Sequence, residues 1–158
     1  MYSHAPSTYT CPFCLMVEGV ESEGVRVAQA DIIYQSAKVT AFVSSQQLST
    51  KAMNILIVPN EHFENIYALP DDYGIELQKA KRLVATALKQ VYNCDGVSTR
   101  QHNEPAGSQD VWHYHEHVTP RFKNDFLKIK LVLGNFKREA KEQARAEHAS
   151  KLREAISK

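Results

Sequence analysis

Hydrophobic residues in the first half of the chain cluster in short runs that are typical of β-strands. Residues 32–34 and 39–43 are rich in β-branched and aromatic side chains, which fit the pleated surface of a sheet. Residues 55–58 are all apolar, and Pro59, which cannot donate to a ladder, ends that run. The pattern predicts two strands and then a third, well-buried strand over residues 54–58.

From residue 70 onward the apolar residues follow the spacing of a helix. One stripe recurs at intervals of three, four and one: Leu77, Ala80, Val84, Ala87, Leu88 and Val91. Pro70 followed by the acidic Asp71 and Asp72 is typical of a helix start, and residues 93–96 are typical of an end. The pattern predicts one long helix over residues 70–91.

The second half is predicted to supply two more strands and a terminal helix. Residues 97–101 and 111–118 have strand-like composition and flank a loop at 103–107 that holds Pro and Gly. Residues 136–157 are rich in helix-favouring Ala, Glu, Lys and Arg, whereas residues 127–133 could form a strand or an ordered crossing segment. Because strands and helices do not alternate strictly, the predicted fold class is α+β with an antiparallel sheet.

The composition is that of an ordinary globular domain. Of 158 residues, 43% are hydrophobic and 23% charged, which allows a substantial core. The charges of the 19 basic and 18 acidic residues nearly cancel. The chain therefore lacks the excess of positive charge that would indicate a nucleic-acid partner. No apolar run reaches the roughly 18 residues of a membrane span, and residues 1–10 lack the pattern of a signal peptide. We therefore expect a cytoplasmic protein with neither nucleic-acid nor membrane partners.

The three cysteines, Cys11, Cys14 and Cys94, make a poor disulfide framework for a reducing compartment. Only two residues separate Cys11 from Cys14, so this pair could bind a metal, be redox-active or be incidental. No thioredoxin-like β-α-β pattern surrounds the pair, which disfavours the redox interpretation.

Three histidines, His113, His115 and His117, alternate with other residues. Successive side chains of a strand point to opposite faces, so these imidazoles should share one face. Their mutual repulsion would be costly if all were protonated, so at least one should be neutral, hydrogen-bonded or metal-bound. By themselves the residues leave open a catalytic cluster, a three-histidine metal site, or exposed histidines on a polar strand.

Residues 103–121 resemble the signature of the histidine triad (HIT) family, which is His-x-His-x-His preceded by an Asn and a Gly-rich turn and often followed by Pro-Arg. Residues 55–62 resemble the family's buried strand, which ends in Pro with a His nearby. Cys11 and Cys14 resemble the metal-binding opening of many bacterial members. The resemblance implies a HIT-like α+β fold with an antiparallel sheet of about five strands, one long central helix and a C-terminal helix.

The resemblance also implies how the chain is organised. We expect a single HIT domain over residues 1–158, with a core at 11–122 and a C-terminal extension with a helix at 123–158. Family members usually pair into dimers, so a homodimer is expected.

In the family the middle histidine attacks the α-phosphorus of a nucleotide, and here that residue is His115. The resemblance implies a nucleotide hydrolase or transferase that cleaves at the α-phosphate of a substituted nucleotide, such as a phosphoramidate or a dinucleoside polyphosphate. A neutral imidazole is a competent nucleophile near neutral pH, and a covalent nucleotidyl-histidine divides one hard displacement into two easier ones. An adenine or guanine nucleotide is the expected substrate.

Further site residues follow from the same resemblance. His117 and Asn103 match positions that contact phosphate oxygens, where preorganised donors stabilise the transition state. Gln109, together with backbone amides of the turn such as that of Val111, is expected to add a phosphate or leaving-group contact.

A structural Zn²⁺ is implied as well. In members with the Cys-x-x-Cys opening, the metal is held by four residues that here are Cys11, Cys14, His62 and His113. Two thiolates and two imidazoles make a closed tetrahedral site with no position left for substrate. Such a site would tie the N-terminal segment to the triad and help to fix His115.

Three expected substrate contacts depart from the family pattern. Asn54 stands where many members have a histidine, and Ser44 stands where an Asp often binds the ribose hydroxyls. Asp110 occupies a position commonly held by Ser or Thr, and a carboxylate beside phosphate is repelled unless it is protonated or turned away. We expect Asp110 to be either a general acid for the leaving group or an outward-facing residue. Glu116 interrupts an apolar position but should face away from the triad.

Other functions stay open at this point. Ser44 and Asn54 make possible a nucleotide-binding or partner-docking module with little or no turnover. A metal-storage or metal-sensing protein that uses the seven histidines is a third interpretation. The uridylyltransferase branch is disfavoured because the chain has no second repeat, and a DNA-end-processing relative is disfavoured because no zinc finger follows the triad.

Overall fold

The computed structural model describes residues 2–47, 52–123, 125 and 138–158. The regular elements, in chain order, are α1 (Pro12–Val17), β1 (Ile32–Gln35), β2 (Val39–Val43), β3 (Gln46–Gln47), β4 (Ile55–Pro59), α2 (Asp71–Tyr92), β5 (Gly96–Gln101), β6 (Glu116–Arg121), β7 (Arg138–Glu139) and α3 (Glu142–Ile156). Short 3₁₀ helices, Gln29–Asp31, Ile66–Ala68 and Pro105–Gly107, lie in the connections. The segment at 127–133, with its alternative predictions, lies outside the described residues.

Five strands form one antiparallel sheet in the order β1-β2-β4-β6-β5, and β3 pairs separately with β7. The antiparallel α+β fold is thus confirmed, and four predicted strands match β1, β2, β4 and β5 to within one residue. All five residues of the central strand β4 are buried. Ile55 and Ile57 belong to a core with α2, whereas Leu56 and Val58 belong to a second core with Phe13 of α1. A strand covered on both faces needs an unbroken apolar run.

Helix α2 covers one face of this sheet. It is the long helix that the periodicity predicts, and its apolar stripe packs into the core. Leu77, Val84 and Leu88 are almost fully buried, and each contributes roughly 1.5–3 kcal/mol relative to exposure. Asn93 ends the helix in the left-handed region (φ 47°), and its N–H donates to the Lys89 oxygen at 3.0 Å.

The strand predicted over residues 111–118 is wrong in its bounds, because β6 begins only at Glu116. The backbone N–H groups of two residues before it donate to oxygens outside the sheet. The N–H of His113 donates two residues back at 2.8 Å, and the N–H of Tyr114 donates to the Phe63 oxygen at 2.6 Å. Two of the three triad histidines therefore precede the strand, and only the third lies in it.

The C-terminal helix also starts later than the composition indicates. It spans Glu142–Ile156 rather than residues 136–157, because the backbone of Arg138–Glu139 pairs with β3. Strand pairing outweighs the helix propensity of that segment. Ala149 and Leu152 of α3 join the core that α2 forms with the sheet.

A buried arginine connects α3 to the loop before β1. Arg145 Nε donates to Asp31 Oδ2 at 2.9 Å, and Arg145 Nη2 donates to the Arg26 oxygen at 3.1 Å. Both side chains of this ion pair are buried. Among the described elements, no helix combines the length and apolar character that crossing a membrane requires.

Candidate active site and metal centre

A cavity of about 620 Å³ lies on the face of the sheet opposite α2. Its apolar wall includes Phe13, Met16, Val25, Val27, Phe42 and Leu56. Its polar residues include Ser44, Asn54, Arg100, His102, Asp110, His115 and His117, and Arg26, Ser45, Gln46 and Ser108 also line it. An apolar slot beside a few convergent polar groups is typical of a small-ligand site.

His115 presents one nitrogen to this cavity in a defined protonation state. The residue is 2% exposed, and its Nδ1 lies 2.8 Å from the backbone oxygen of His113. A carbonyl oxygen can only accept, so Nδ1 carries the hydrogen and Nε2 carries a lone pair. Burial lowers the pKa of His115, which keeps the ring neutral near pH 7. The arrangement makes Nε2 a potential nucleophile.

His117 is held in the opposite tautomer by Asn54. The Thr119 hydroxyl donates to Asn54 Oδ1 at 2.6 Å, which turns the amide nitrogen of Asn54 toward His117 Nδ1 at 3.4 Å. His117 Nδ1 therefore accepts, and Nε2 carries the hydrogen. Burial, followed by the charges of His115 and Arg100, lowers the pKa of His117 to about 3. His117 is thus a neutral hydrogen-bond donor beside the His115 lone pair.

His113 faces a different set of groups. Its Nε2 donates to the Pro59 oxygen at 3.0 Å, so the lone pair of Nδ1 faces Cys11 Sγ at 3.2 Å and Cys14 Sγ at 3.5 Å. His62 Nδ1 lies 3.3 Å from Cys14 Sγ. One ligand atom from each of these four residues lies within 4.8 Å of all the others.

The four residues fit a tetrahedral zinc site. With Zn–S and Zn–N bonds of about 2.3 and 2.1 Å, tetrahedral ligands lie roughly 3.4–3.8 Å apart, close to the separations found here. Helix α1 brings the sulfurs together, because Cys11 is its N-cap and Cys14 lies in its first turn. The contact with Cys14, followed by that with His113, lowers the pKa of the Cys11 thiol, and a metal ligand must be the thiolate.

Asp110 approaches the candidate nucleophile. Its Oδ1 lies 3.8 Å from His115 Nε2, and its side chain is 55% exposed at the cavity. Because neutral His115 has no hydrogen on Nε2, the carboxylate cannot accept a hydrogen bond from it. A protonated Asp110, or a protonated His115, would make this contact favourable.

Ser44, Asn54 and Val111 line the cavity as the resemblance implies, but Gln109 does not. Gln109 is buried, and its Oε1 accepts from the N–H of Glu104 at 2.8 Å. Its Nε2 donates to the Glu64 and Val111 oxygens at 2.6 and 2.9 Å. Its amide is engaged by this loop and by the connection after β4, which supports the loop, and the expected phosphate contact stays a prediction.

Asn103 is also absent from the cavity lining. Its Oδ1 accepts from the N–H of Ile66 at 2.8 Å, and its Nδ2 donates to Gln101 Oε1 at 2.7 Å. These bonds join the loop before the triad to the connection after β4. The geometry therefore gives Asn103 a bracing role in this loop, and the phosphate contact that the resemblance implies stays a prediction.

Glu116 faces away from the cavity, as expected. Its two oxygens contact Lys81 Nζ of α2 at 2.7 Å and the Tyr114 hydroxyl at 2.8 Å, on the opposite side of the sheet. A buried carboxylate needs such partners, so Glu116 supports the packing of α2 on the sheet.

The chain matches a model of one known protein family. The model of the HIT domain matches residues 25–124, which is more than half of the chain. The chain belongs to the HIT family. The family and fold predicted from the triad and the Cys-x-x-Cys pair are therefore confirmed.

Individual HIT proteins resemble the chain over most of its length. The "Protein hit" of Bacillus subtilis is 30% identical over 112 residues, or 71% of each chain. Adenosine 5'-monophosphoramidase HNT1 of Candida albicans is 26% identical over 125 residues, which cover 77% of this chain and 74% of that protein. The crystal structure of a Zn-bound histidine triad family protein from Mycobacterium smegmatis has a TM-score of 0.74 at 23% identity and covers 94% of both chains.

Several cavity residues of this HIT protein escape the sequence analysis. Phe13 and Met16 come from α1, whose six residues are too few to show a helical period. Arg100 and His102 look like exposed strand residues, since nothing in their spacing indicates that they face the triad. The pairing of β5 with β6 brings them there.

Proposed function

We propose that this HIT protein hydrolyses substituted nucleotides at the α-phosphate through a nucleotidyl-histidine formed on His115. The observation that carries the proposal is the bond from His115 Nδ1 to the His113 oxygen, which leaves the Nε2 lone pair directed at the cavity. The resemblance to Adenosine 5'-monophosphoramidase HNT1 supports a nucleotide substrate.

The proposed reaction has two displacements. His115 Nε2 attacks the α-phosphorus, a P–N bond forms, and the bond from phosphorus to the leaving group breaks with its electron pair on the leaving atom. Water then attacks the same phosphorus and loses a proton to the solvent, and the P–N electron pair returns to His115. His117 Nε2–H is placed to donate to a phosphate oxygen in both steps.

Asp110 is proposed as the proton donor for a basic leaving group. A carboxylate beside an anionic phosphate is disfavoured, so substrate binding would favour its protonated form. At 3.8 Å from His115 Nε2, Asp110 lies close to the reacting phosphorus, where an amine leaving group would need a proton.

Zinc has a structural role in this proposal. Cys11, Cys14, His62 and His113 would hold the ion, and all four positions would then be occupied by protein. The ion would join α1 to the segment that carries His115, and it would polarise no substrate group.

The apolar wall is suited to an adenine or guanine base. Phe13 and Phe42 offer aromatic faces, with ring centroids 5.6 Å apart, and Ser44 offers a neutral contact for the ribose. Gln109 and Asn103 would shape the loop that positions Asp110. The cytoplasmic location, the homodimer and the single domain over residues 1–158, all expected from the sequence, remain part of the proposal.

Trapping the covalent intermediate tests the proposal. Rapid mixing with an adenosine phosphoramidate or diadenosine triphosphate, quenched in base, should give intact protein with the added mass of one adenylyl group. His115→Ala should lack this species and release AMP at least ~10³-fold more slowly. His148→Ala, which removes an imidazole outside the cavity lining, is the matched control. Tight nucleotide binding without turnover would instead favour the binding-module alternative.

A further inference from the structure

Among the cavity side chains that the proposed reaction does not use are Arg100 and His102. Arg100 lies on β5 and His102 follows that strand, so the alternation of side chains places both on the cavity face. Arg100 is paired with His117 across the β5–β6 ladder, and the rings of His102 and His117 have centroids 5.9 Å apart. Arg100 therefore lies one strand spacing, ~4.8 Å, from His117 of β6.

The order of the strands gives the cavity a direction. β2, β4, β6 and β5 are successive neighbours in the sheet. Phe42 on β2 and Leu56 on β4 belong to the apolar wall, His117 lies on β6, and Arg100 lies on β5. A nucleotide with its base on the apolar wall and its α-phosphate at the triad would direct its leaving group toward β5.

The guanidinium of Arg100 is available to a ligand. Arg100 is partly buried, and within the part of the chain that the structure describes no hydrogen bond or ion pair engages its side chain. The neighbouring Arg121 differs, because its guanidinium binds Asp125 at 2.6 and 2.7 Å and Ser98 Oγ at 3.1 Å. A partly desolvated cation without a counter-ion is unfavourable unless an anion compensates it.

His102 places a second nitrogen at the same end of the cavity. Its Nδ1 lies 2.8 Å from the Gly107 oxygen and therefore carries a hydrogen that this carbonyl accepts. The ring lines the cavity with Nδ1 fixed, so Nε2 is the nitrogen left for a ligand. A protonated His102 would donate from Nε2 to an anionic oxygen.

We propose that Arg100 and His102 form a second anion subsite, which binds the phosphate of a leaving group and favours nucleoside polyphosphate substrates over nucleotides with an uncharged amine leaving group. The inference rests on the proposed function, because it assigns a substrate class to the same cavity. When the His115–phosphorus bond forms, the electron pair of the breaking P–O bond moves to the bridging oxygen. Arg100 and His102 stabilise the charge that develops on that leaving phosphate.

The test compares two substrates with one nucleoside. The leaving group of diadenosine triphosphate is a phosphate anion, whereas the leaving group of adenosine phosphoramidate is an amine. Arg100→Gln should lower kcat/KM for the first roughly 10- to 100-fold, the effect of losing a charge-assisted hydrogen bond, and for the second no more than about 3-fold. Arg100→Lys should recover part of the loss. Arg82→Gln, which removes an equal charge from the exposed side of α2, should change neither.

Two results would overturn the subsite. An equal loss with both substrates would mean that Arg100 only positions His117, and no loss with either would mean that Arg100 does not meet the leaving group. His102→Gln should likewise lower kcat/KM for diadenosine triphosphate more than for adenosine phosphoramidate. An unchanged ratio of the two values would remove His102 from the subsite.

Binding measurements separate this inference from the proposed function. If the parent protein cleaves neither substrate, the proposed function fails and the subsite is judged by affinity alone. Calorimetric titration with inorganic pyrophosphate should then show binding to the parent that is weakened roughly 10-fold or more in Arg100→Gln. Pyrophosphate that binds both proteins equally, or neither, would reject the subsite.

Discussion

The metal centre around His113 and the cavity around His115 and His117 are both built from histidines that lie within five residues of sequence. The ring nitrogens of these histidines have different surroundings in the two regions. At His113 one nitrogen meets a backbone oxygen and the other meets two sulfurs, so both are engaged by protein. At His115 and His117 one nitrogen is engaged and the other is left for the cavity. An imidazole whose two nitrogens both contact protein groups supports the structure, whereas an imidazole with one nitrogen left over remains available for chemistry.

The largest effect is expected when the same substitution, histidine to alanine, is made in each of the two regions. His113→Ala removes one of the four ligands, so zinc should be lost and the free energy of unfolding should fall on the order of 4 kcal/mol. His115→Ala should retain one zinc per chain and nearly the parent stability. Atomic emission analysis and urea unfolding measure both properties. Loss of zinc from His115→Ala would show that the two regions share one metal site.

A second test concerns the proton on the leaving group. Asp110→Asn cannot supply one, so kcat for an adenosine phosphoramidate should fall about 100-fold. A general acid must be protonated, so the parent rate should decrease as pH rises through its titration, and this limb should vanish in the variant. If the pH–rate profile of Asp110→Asn runs parallel to that of the parent, Asp110 is not the acid.

Asn54 sharpens the comparison from the cavity side. Asn54→Ala removes the group that sets the tautomer of His117, so kcat should fall about 10-fold while the zinc content stays unchanged. Thr119→Ser retains the hydroxyl that orients Asn54 and is the matched control. An increase in KM alone, with kcat preserved, would make Asn54 a substrate contact instead.

The smallest expected effect is a dependence of stability on pH. The pKa of His117 is about 3 in the folded protein and near ~6.5 in the unfolded chain. Below that unfolded value the unfolded state binds a proton that the folded state does not, so His117 lowers stability as pH falls, by up to ~1.4 kcal/mol per pH unit. The stability of the parent relative to His117→Gln should therefore decline between pH 6.5 and 5. A constant difference would contradict the lowered pKa.

The two regions also differ in how much the sequence predicts. The four ligands of the metal centre are recognisable because the resemblance to the HIT family implies them, and the structure brings them together. The cavity is harder, because Arg100, His102 and the apolar residues of α1 reach it only through strand pairing and packing. The bracing contacts of Asn103 and Gln109 are missed for the same reason, since only coordinates show that loop amides engage their side chains.

The fold shows a similar division. Long apolar patterns, such as those of α2 and β4, are predicted to within a residue because burial determines them directly. The start of β6 and the ribbon of β3 and β7 depend on which backbone groups meet at a distance in sequence. No local pattern carries that information.

The contact made by Arg145 determines at which stage of protein synthesis the cavity can be complete. Its guanidinium holds the Arg26 oxygen, 119 residues earlier, next to the two valines of the apolar wall. Residue 145 lies beyond the matched HIT domain at 25–124. A nascent chain that has released only that domain from the ribosome would carry the triad but lack the bond from Arg145 beside the apolar wall, so the wall should be fully supported only after α3 emerges.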